Sequence, residues 1–457
     1  MSEEIHNDSE LSDVARLFFG DEFPVVYIGC DGNIYDVEIE NISYRIDLSD
    51  TDASVMPAAH RRKRMLKIAL YDALTRHTGR RMAWGALTGV RPTKLFYECL
   101  AGGKSKDEAV DVMKSVYRVA GTRADILREI YDAQRGNVHF SSEYINLYLH
   151  IPYCSTRCSY CSFVSMPVDK DREQVSRYVE LLCDETERSV SFLRERGKKI
   201  LSVYIGGGTP SALDADLLEK VLNSVKEFDV EFTCEAGRPD TLDECKLDVM
   251  RGCGVTRVCI NPQTLNDATL GAIGRRHTSD DFFRIFEAAN NRGFEINCDL
   301  IAGLPNESID DFISSYNGIR ELRPHNFTVH SLSKKNGSAI RYDSDENADI
   351  AAMLDYALNN RGDYRPYYLY RQKRQAGNLE NVGFSLCGCE CVNNITTMEE
   401  TVGVMACGAG AISKAVSEGR IARFANMRDV GLYLERYQEK TNGKLKFFDD
   451  FFMTDIM

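Results

Sequence analysis

Apolar positions between residues 141 and 360 fall into short runs: "YINLYLH" (144–150), "ILSVYIG" (200–206), "VEFTCEA" (230–236), "VTRVCI" (255–260), "FEINCDLI" (294–301) and "HNFTVHSL" (325–332). Amphipathic stretches at helical spacing lie between them, among them "DREQVSRYVELLCDETERSVSFLRE" (171–195) and "ADLLEKVLNSVKEF" (215–228). Short apolar runs bounded in this way read as strands. Strands that alternate with helices predict a parallel sheet, because each helical crossover returns the chain to begin the next strand in the same direction. Reactive side chains are then expected at the carboxyl ends of the strands. Residues 1–140 open with strand-like "FPVVYIG" and "NIYDVEI" and turn helical from about Arg61 to Ile130, which gives an α+β accessory domain. Residues 141–360 are the core. Residues 361–457 show no clear repeat of the pattern and read as a C-terminal substrate or lid region.

Composition adds exclusions. The chain has 457 residues, 43% of them hydrophobic and 27% charged. No segment reaches the ~20 consecutive apolar residues that cross a bilayer. The opening "MSEEIHNDSE" is acidic and polar, unlike a secretory or transit peptide, so a cytoplasmic location is expected. A net charge of −13 argues against nucleic acid as partner, since phosphates call for cationic counter-charge. The basic stretch "HRRKRMLK" (60–67) reads as a solvated helix face.

Fifteen cysteines is an odd count, and in a reducing compartment it does not suggest a disulfide framework. Cys259 and Cys298 sit inside apolar runs and read as small core residues. The clustered cysteines point to metal chemistry. In "YLHIPYCSTRCSYCSF" (148–163), Cys154, Cys158 and Cys161 form a C-x3-C-x2-C loop with no fourth cysteine nearby. Three thiolates hold three corners of a [4Fe–4S] cube and leave one iron open, whereas electron-transfer clusters use four protein ligands. A catalytic zinc also keeps an open position and is the competing reading, although the loop offers neither a histidine nor a separated second pair. A second group, Cys387, Cys389 and Cys391 in "SLCGCECVNN" with Cys407, suggests either an auxiliary metal site or strand and turn thiols.

C-x3-C-x2-C with an aromatic, Tyr160, before the last cysteine resembles the cluster loop of radical S-adenosylmethionine enzymes. Further motifs follow in order: "YIGGGTPSAL" (204–213), "CEAGRPDT" (234–241), "INPQTLN" (260–266), "IGRRHT" (273–278) and "NCDLIAGLPNE" (297–307). This series resembles the oxygen-independent coproporphyrinogen III dehydrogenase group over roughly residues 145–340. "WGALTGVRPTKL" (84–95) and "YLYRQKRQAGNLENVGFS" (368–385) resemble the branch from Gram-positive bacteria that carries an extra N-terminal domain.

The resemblance implies a partial (β/α)6 barrel of the radical S-adenosylmethionine type, flanked by the N-terminal α+β domain and the C-terminal lid region. It implies two cofactors, a [4Fe–4S] cluster on Cys154, Cys158 and Cys161 and S-adenosylmethionine on the open iron. Tyr148 matches a cofactor-contacting tyrosine, and Tyr160 lies against adenine. Gly208 and Thr209 fall at the methionine-binding turn, and Glu235, Gln263, Arg275 and Asp299 hold the rest of the cofactor. Such residues suit a zwitterionic cation, which needs carboxylates for its ammonium and hydroxyl groups and a guanidinium for its carboxylate. Tyr148 also reads as a core aromatic, and Arg275 as a surface ion-pair partner.

The implied reaction abstracts hydrogen from propionate side chains of coproporphyrinogen III and releases carbon dioxide to give protoporphyrinogen IX, with an electron donor and an electron acceptor as partners. Cationic residues for the substrate carboxylates are sought at Arg91, Lys94, Arg371, Lys373 and Arg374. Phe163 stands where established dehydrogenases of the group often carry another cysteine, and phenylalanine there is typical of relatives that act as haem carriers. A haem-binding chaperone and a radical enzyme on another tetrapyrrole therefore stay open. His150, His277, His325 and His330 are available as axial ligands.

Overall fold

The six short apolar runs become six adjacent parallel strands: β5 (Tyr144–Ile151), β8 (Lys199–Gly207), β9 (Glu231–Cys234), β10 (Arg257–Cys259), β11 (Glu295–Ala302) and β12 (Asn326–Ser331). This is a computed structural model, and it describes residues 3–89, 91–138, 142–162, 165–333, 346–372, 378–417 and 420–453. The helices between the strands are α6 (Arg172–Glu195), α7 (Ala215–Asn223), α8 (Glu244–Gly252), α9 (Asp267–Ala272), α10 (Ser279–Asn291) and α11 (Ile309–Leu322). Their starts are encoded locally. Asp171, Asp243, Asn266, Thr278 and Ser308 accept backbone N–H groups of the first turn, and Thr278 and Ser308 complete capping boxes with Asp281 and Asp311.

The chain divides into two compact units, residues 1–132 with 369–381, and residues 133–368 with 382–457. In the first unit, β1 (Glu3–Glu4), β2 (Val26–Asp31), β3 (Ile34–Ile39) and β4 (Ile42–Asp47) form an antiparallel sheet. Helices α1 (Ser9–Phe19), α2 (Ala58–Thr78), α3 (Pro92–Ala101), α4 (Lys106–Ser115) and most of α5 (Gly121–Gln134) complete it. The basic stretch lies on α2 as a solvated face: His60, Arg61 and Arg62 are exposed, while Met65, Ile68 and Leu70 are buried. The two outlying motifs of the sequence meet inside this unit. Trp84 is fully buried and donates its indole N–H to Glu380 at 2.7 Å, and Glu380 also accepts from Arg123 at 2.8 Å. Arg371 donates to the carbonyls of Leu87, Gly89 and Asn378 at 2.9, 3.2 and 3.0 Å, with its guanidinium over the Trp84 ring. Arg371, sought from sequence as a substrate contact, is a buried carbonyl cap instead. Lys373 and Arg374 lie outside the described residues.

In the second unit, residues after 361 extend the parallel run on both sides. β14 (Asn381–Ser385) lies antiparallel to β12, and β13 (Arg365–Tyr370) lies beyond it. β15 (Gly403–Cys407) lies parallel to β5, followed by β16 (Ile412–Ser417) and β17 (Arg420–Ala425). Among the described residues β5 and β12 are not paired with each other, so the barrel is open. Two-residue strands β6 (Tyr153–Cys154) and β7 (Met166–Pro167) pair in parallel and bracket the cysteine loop. Helices α12 (Glu346–Asn359), α13 (Val392–Glu399) and α14 (Val430–Met453) complete this unit. Between α6 and α14, the fully buried Lys444 ammonium pairs with the fully buried Glu185 carboxylate. Glu185 accepts further hydrogen bonds from Tyr433, Asn426 and the Gly408 backbone, so no carboxylate lone pair is stranded.

Candidate active site

The motifs read from the sequence converge at the carboxyl ends of the parallel strands. The cysteine loop leaves β5 and is fixed by its neighbours through backbone hydrogen bonds. Gly208 and Thr209 donate to the carbonyls of Ile151 and Tyr153 at 2.7 Å each, which ties the glycine turn after β8 to the start of the loop. Ser159 donates to the carbonyl of Ile273, and the Thr156 hydroxyl to that of Gly274, which ties the "IGRRHT" segment to its far side.

The three glycines are there because nothing larger fits. A Cβ on Gly208 would lie 2.5 Å from the Tyr153 carbonyl and 3.0 Å from the Cys154 sulfur. On Gly207, whose φ is +114°, it would strike the His150 ring, and on Gly206 the Glu235 carboxylate and the Tyr204 ring. Thr209 donates its hydroxyl to Cys154 at 3.4 Å. Cys158 is buried, and Cys154 and Cys161 are partly exposed. Among the described residues, no three His, Cys, Asp or Glu side chains are grouped to hold a metal ion, the loop cysteines included. A cubane cluster takes each thiolate at a separate iron and does not need them to converge on one point.

Glu235 stands just after β9. Burial and the neighbouring Asp299 push its carboxyl up to about 8, against the opposing Tyr204 side chain and Gly207 N–H. Asp299 accepts from the Asn297 amide at 3.0 Å and lies 3.6 Å from the His330 ring. Gln263, with φ at +69°, bonds by its backbone to Asp299 and Ile301. Arg275 is buried, not on the surface. It donates to the carbonyls of Asn261 and Gly237 and, at 3.1 Å, to the Tyr160 hydroxyl. Tyr160 packs against Leu270, Ile273, Ile301, Leu304 and Leu332. Tyr148 packs against Val404, Ala406 and Ala411, and its ring stacks on Tyr204 at 6.0 Å. Tyr148 therefore has a core contact on one side and the Glu235 carboxyl near it on the other.

The other flagged residues fall elsewhere. His325 accepts from the Ile296 N–H at the amino end of the strands. His150 is half-buried, and desolvation drives it down to about 4, so it is neutral at pH 7. Cys391 lies against Glu231 at the first residue of β9, the end of the sheet opposite the cysteine loop. Cys407 contacts Ser189 and Lys444, Cys387 is exposed, and Cys389 is partly exposed, its carbonyl accepting from Arg257 and Asn326 at the amino ends of β10 and β12. These four thiols are dispersed and do not make a second site among the described residues. Phe163 lies outside the described residues.

Sequence reasoning missed Arg238 and Asp240. Arg238 donates to Asp240 through Nε and Nη2 at 3.0 and 3.1 Å, and through Nη1 to the Cys158 sulfur at 3.3 Å. The fully buried His277 ring lies 3.7 Å from Asp240. Nothing in the local sequence marks the pair, since the Cys158 sulfur that Arg238 reaches lies 80 residues away.

The residues present fit the cofactor pair of a radical S-adenosylmethionine protein. The glycine turn leaves room only for backbone beside the first cysteine. The buried side-chain atoms Gln263 Oε1, Asn261 Oδ1, Asn297 Oδ1 and Arg275 Nε lack hydrogen-bond partners among the described residues, as expected of groups that complete their bonding on a polar ligand.

Comparison with known proteins agrees. The sequence model of the radical SAM superfamily matches residues 148–317. The oxygen-independent coproporphyrinogen-III oxidase-like protein HemZ of Bacillus subtilis (strain 168) is 36% identical over 85% of this chain and 82% of its own length. The heme chaperone HemW of Lactococcus lactis subsp. lactis (strain IL1403) is 33% identical over 63% of this chain and 73% of its own. The structure of the coproporphyrinogen III oxidase HemN from Escherichia coli, a radical SAM enzyme, is similar in fold, with a TM-score of 0.52 at 20% identity over 67% of this chain and 72% of that one. The fold and site are thus those of a radical SAM protein, a class that uses a [4Fe–4S] cluster and S-adenosylmethionine. Within that class, the chain belongs to the coproporphyrinogen-III oxidase-like family of HemZ. No helix among the described residues is long and apolar enough to cross a membrane.

Proposed function

We propose that this protein is an oxidoreductase that removes the carboxylate carbons of two propionate side chains of coproporphyrinogen III, giving protoporphyrinogen IX without dioxygen. The observation that carries the reading is the cysteine loop, seated against the glycine turn at the mouth of an open barrel lined by Tyr148, Tyr204, Glu235 and Asp299. The name of the HemZ relative supports the substrate class.

In this reading Cys154, Cys158 and Cys161 hold the cluster. Gly208 and Thr209 present backbone to the methionine part of the cofactor, Glu235 and Asp299 face its cationic and hydroxyl groups, and Tyr160 lies against adenine. Gln263 offers its unpartnered amide oxygen. Arg275 keeps Tyr160 and the Asn261 turn in register and turns its free Nε toward the ligand. When bound, the pair supplies one-electron hydrogen-abstraction chemistry. Glu235, neutral at pH 7 when it faces no cation, gives up its proton when a cation settles beside it. The apolar wall of Ile301, Leu304 and Leu332 excludes water from the adenine side. Loss of carbon dioxide leaves a vinyl group, and an external acceptor takes the remaining electron.

The test is an anaerobic incubation of cluster-loaded protein with reductant, S-adenosylmethionine and coproporphyrinogen III, read by mass spectrometry. Formation of 5′-deoxyadenosine together with protoporphyrinogen is expected. The similarity to HemW chaperones favours haem carriage as a second reading. Neither product, with stoichiometric haem retained on the cluster-loaded protein, would establish that reading instead.

A further inference from the structure

Three strong features stand outside the roles already given: the buried Lys444–Glu185–Cys407 group, the Arg257–Glu231–Cys391 group at the amino ends of the strands, and the Arg238–Asp240 pair. The first two are closed, mutually satisfied or far from the mouth. The third touches a cluster cysteine.

Arg238 is buried, and its guanidinium is fully committed in direction. One edge grips Asp240 through two hydrogen bonds, at 3.0 and 3.1 Å. The opposite corner, Nη1, reaches the Cys158 sulfur at 3.3 Å and the Thr156 carbonyl at 3.4 Å. Asp240 in turn accepts from the Ser155 hydroxyl at 3.4 Å, so the clamp holds the loop at both its first turn and its middle cysteine. Cys158 is the buried member of the triplet, where solvent least screens a neighbouring charge.

We propose that Arg238 and Asp240 form a positioning pair that sets the reduction potential of the cluster through the N–H···S bond to Cys158. The proposal rests on the assignment of Cys154, Cys158 and Cys161 as cluster ligands. Cluster potentials depend on net charge, burial and hydrogen bonds to the sulfurs. Reduction adds negative charge to the cluster, so a cationic donor at a ligand sulfur favours the reduced form and raises the potential. Asp240 offsets part of that charge and fixes the angle at which it is delivered. The two residues therefore act with opposite sign: loss of the Arg238 guanidinium makes the cluster harder to reduce, and neutralising Asp240 makes it easier. A clamp that served only to hold the loop would give no such opposition.

The measurement is an anaerobic redox titration of the full-length, cluster-reconstituted protein without S-adenosylmethionine, followed by electron paramagnetic resonance of the reduced cluster. Wild type, Arg238→Met, Arg238→Lys and Asp240→Asn are compared at equal iron and sulfide content. Arg238→Met is expected to lower the reduced-to-oxidised ratio at a fixed potential by about tenfold, about 59 mV for a one-electron couple. Arg238→Lys should fall between Met and wild type, and Asp240→Asn should shift the other way. Variants that load a cluster at the wild-type potential, or that all shift in one direction, overturn the proposal. If Arg238→Met fails to load, Asp240→Asn decides, and an unshifted or lowered potential there refutes it. If wild type itself takes up no cluster, the ligand assignment fails first and the tuning role falls with it.

Discussion

Replacing Glu235 with glutamine should stabilise the cofactor-free protein while removing a binding group, and the gain should depend on pH in a defined way. In the unfolded chain this carboxyl titrates at its ordinary 4.5, and in the folded barrel at about 8. The folded state therefore binds the proton more tightly. Below pH 4.5 both states are protonated, and the group's stabilising contribution is fully present. As pH rises from 4.5 to 8, the unfolded chain ionises while the folded one must keep its proton, and that contribution is lost. Between 4.5 and 7, at about 1.36 kcal/mol per pH unit, the loss reaches about 3 kcal/mol. Glu235→Gln keeps the shape and the acceptor for Tyr204 but has no proton to carry. Thermal unfolding of the cluster-free protein should show no difference between the two chains at pH 4.5. At pH 7 the variant should melt higher, by about 5 °C for a unit of this size. A gap that is constant from pH 4.5 to 8, or a variant less stable at every pH, would refute the reasoning. Binding of S-adenosylmethionine to the cluster-loaded variant should fall despite the stability gain, the expected conflict between a strained site and a stable one.

Three other outcomes are expected. Lys444→Met leaves Glu185 charged and buried among neutral donors, and should cost about 3–5 kcal/mol in thermal or urea unfolding. Gly208→Ala drives a methyl group into the Tyr153 carbonyl and the Cys154 sulfur, so iron bound per chain after anaerobic reconstitution should drop sharply while far-ultraviolet circular dichroism stays unchanged. The double replacement Cys387→Ser with Cys389→Ser should leave iron per chain as in wild type, since those thiols are remote from the loop.

The parallel core was legible because its six strands are separated by amphipathic helices, most of them with side-chain caps, so the pattern changed character at each boundary. The strands after residue 361 were not. "NVGFS" and "GVMAC" are buried at every position, which erases the alternation that marks a half-exposed strand. The candidate site was legible where a residue type was out of keeping with its run, as with Asp299 in a hydrophobic strand or three glycines after another. Arg371 misled because a basic residue in a basic stretch gives no sign of whether its partners are ligand carboxylates or the protein's own carbonyls. Arg238 was passed over for the converse reason: its partner is a sulfur 80 residues away, and nothing in the local sequence marks such a bond.

The placement of β15 beside β5 also bears on how the protein is made. The strand that leads into the cysteine loop ends at Ile151, but the strand covering its outer edge begins only at Gly403. During synthesis, β8 can cover one side of β5 early, while the other side keeps its backbone donors and acceptors open until some 250 further residues have left the ribosome. At about 5–20 residues per second, that interval lasts on the order of tens of seconds. An uncovered strand edge recruits other strands for that long. Cluster insertion therefore has a natural order: a nascent chain can present all three cysteines well before the wall behind them is complete, and iron delivered then would meet a loop whose supporting strand is still exposed to misassembly.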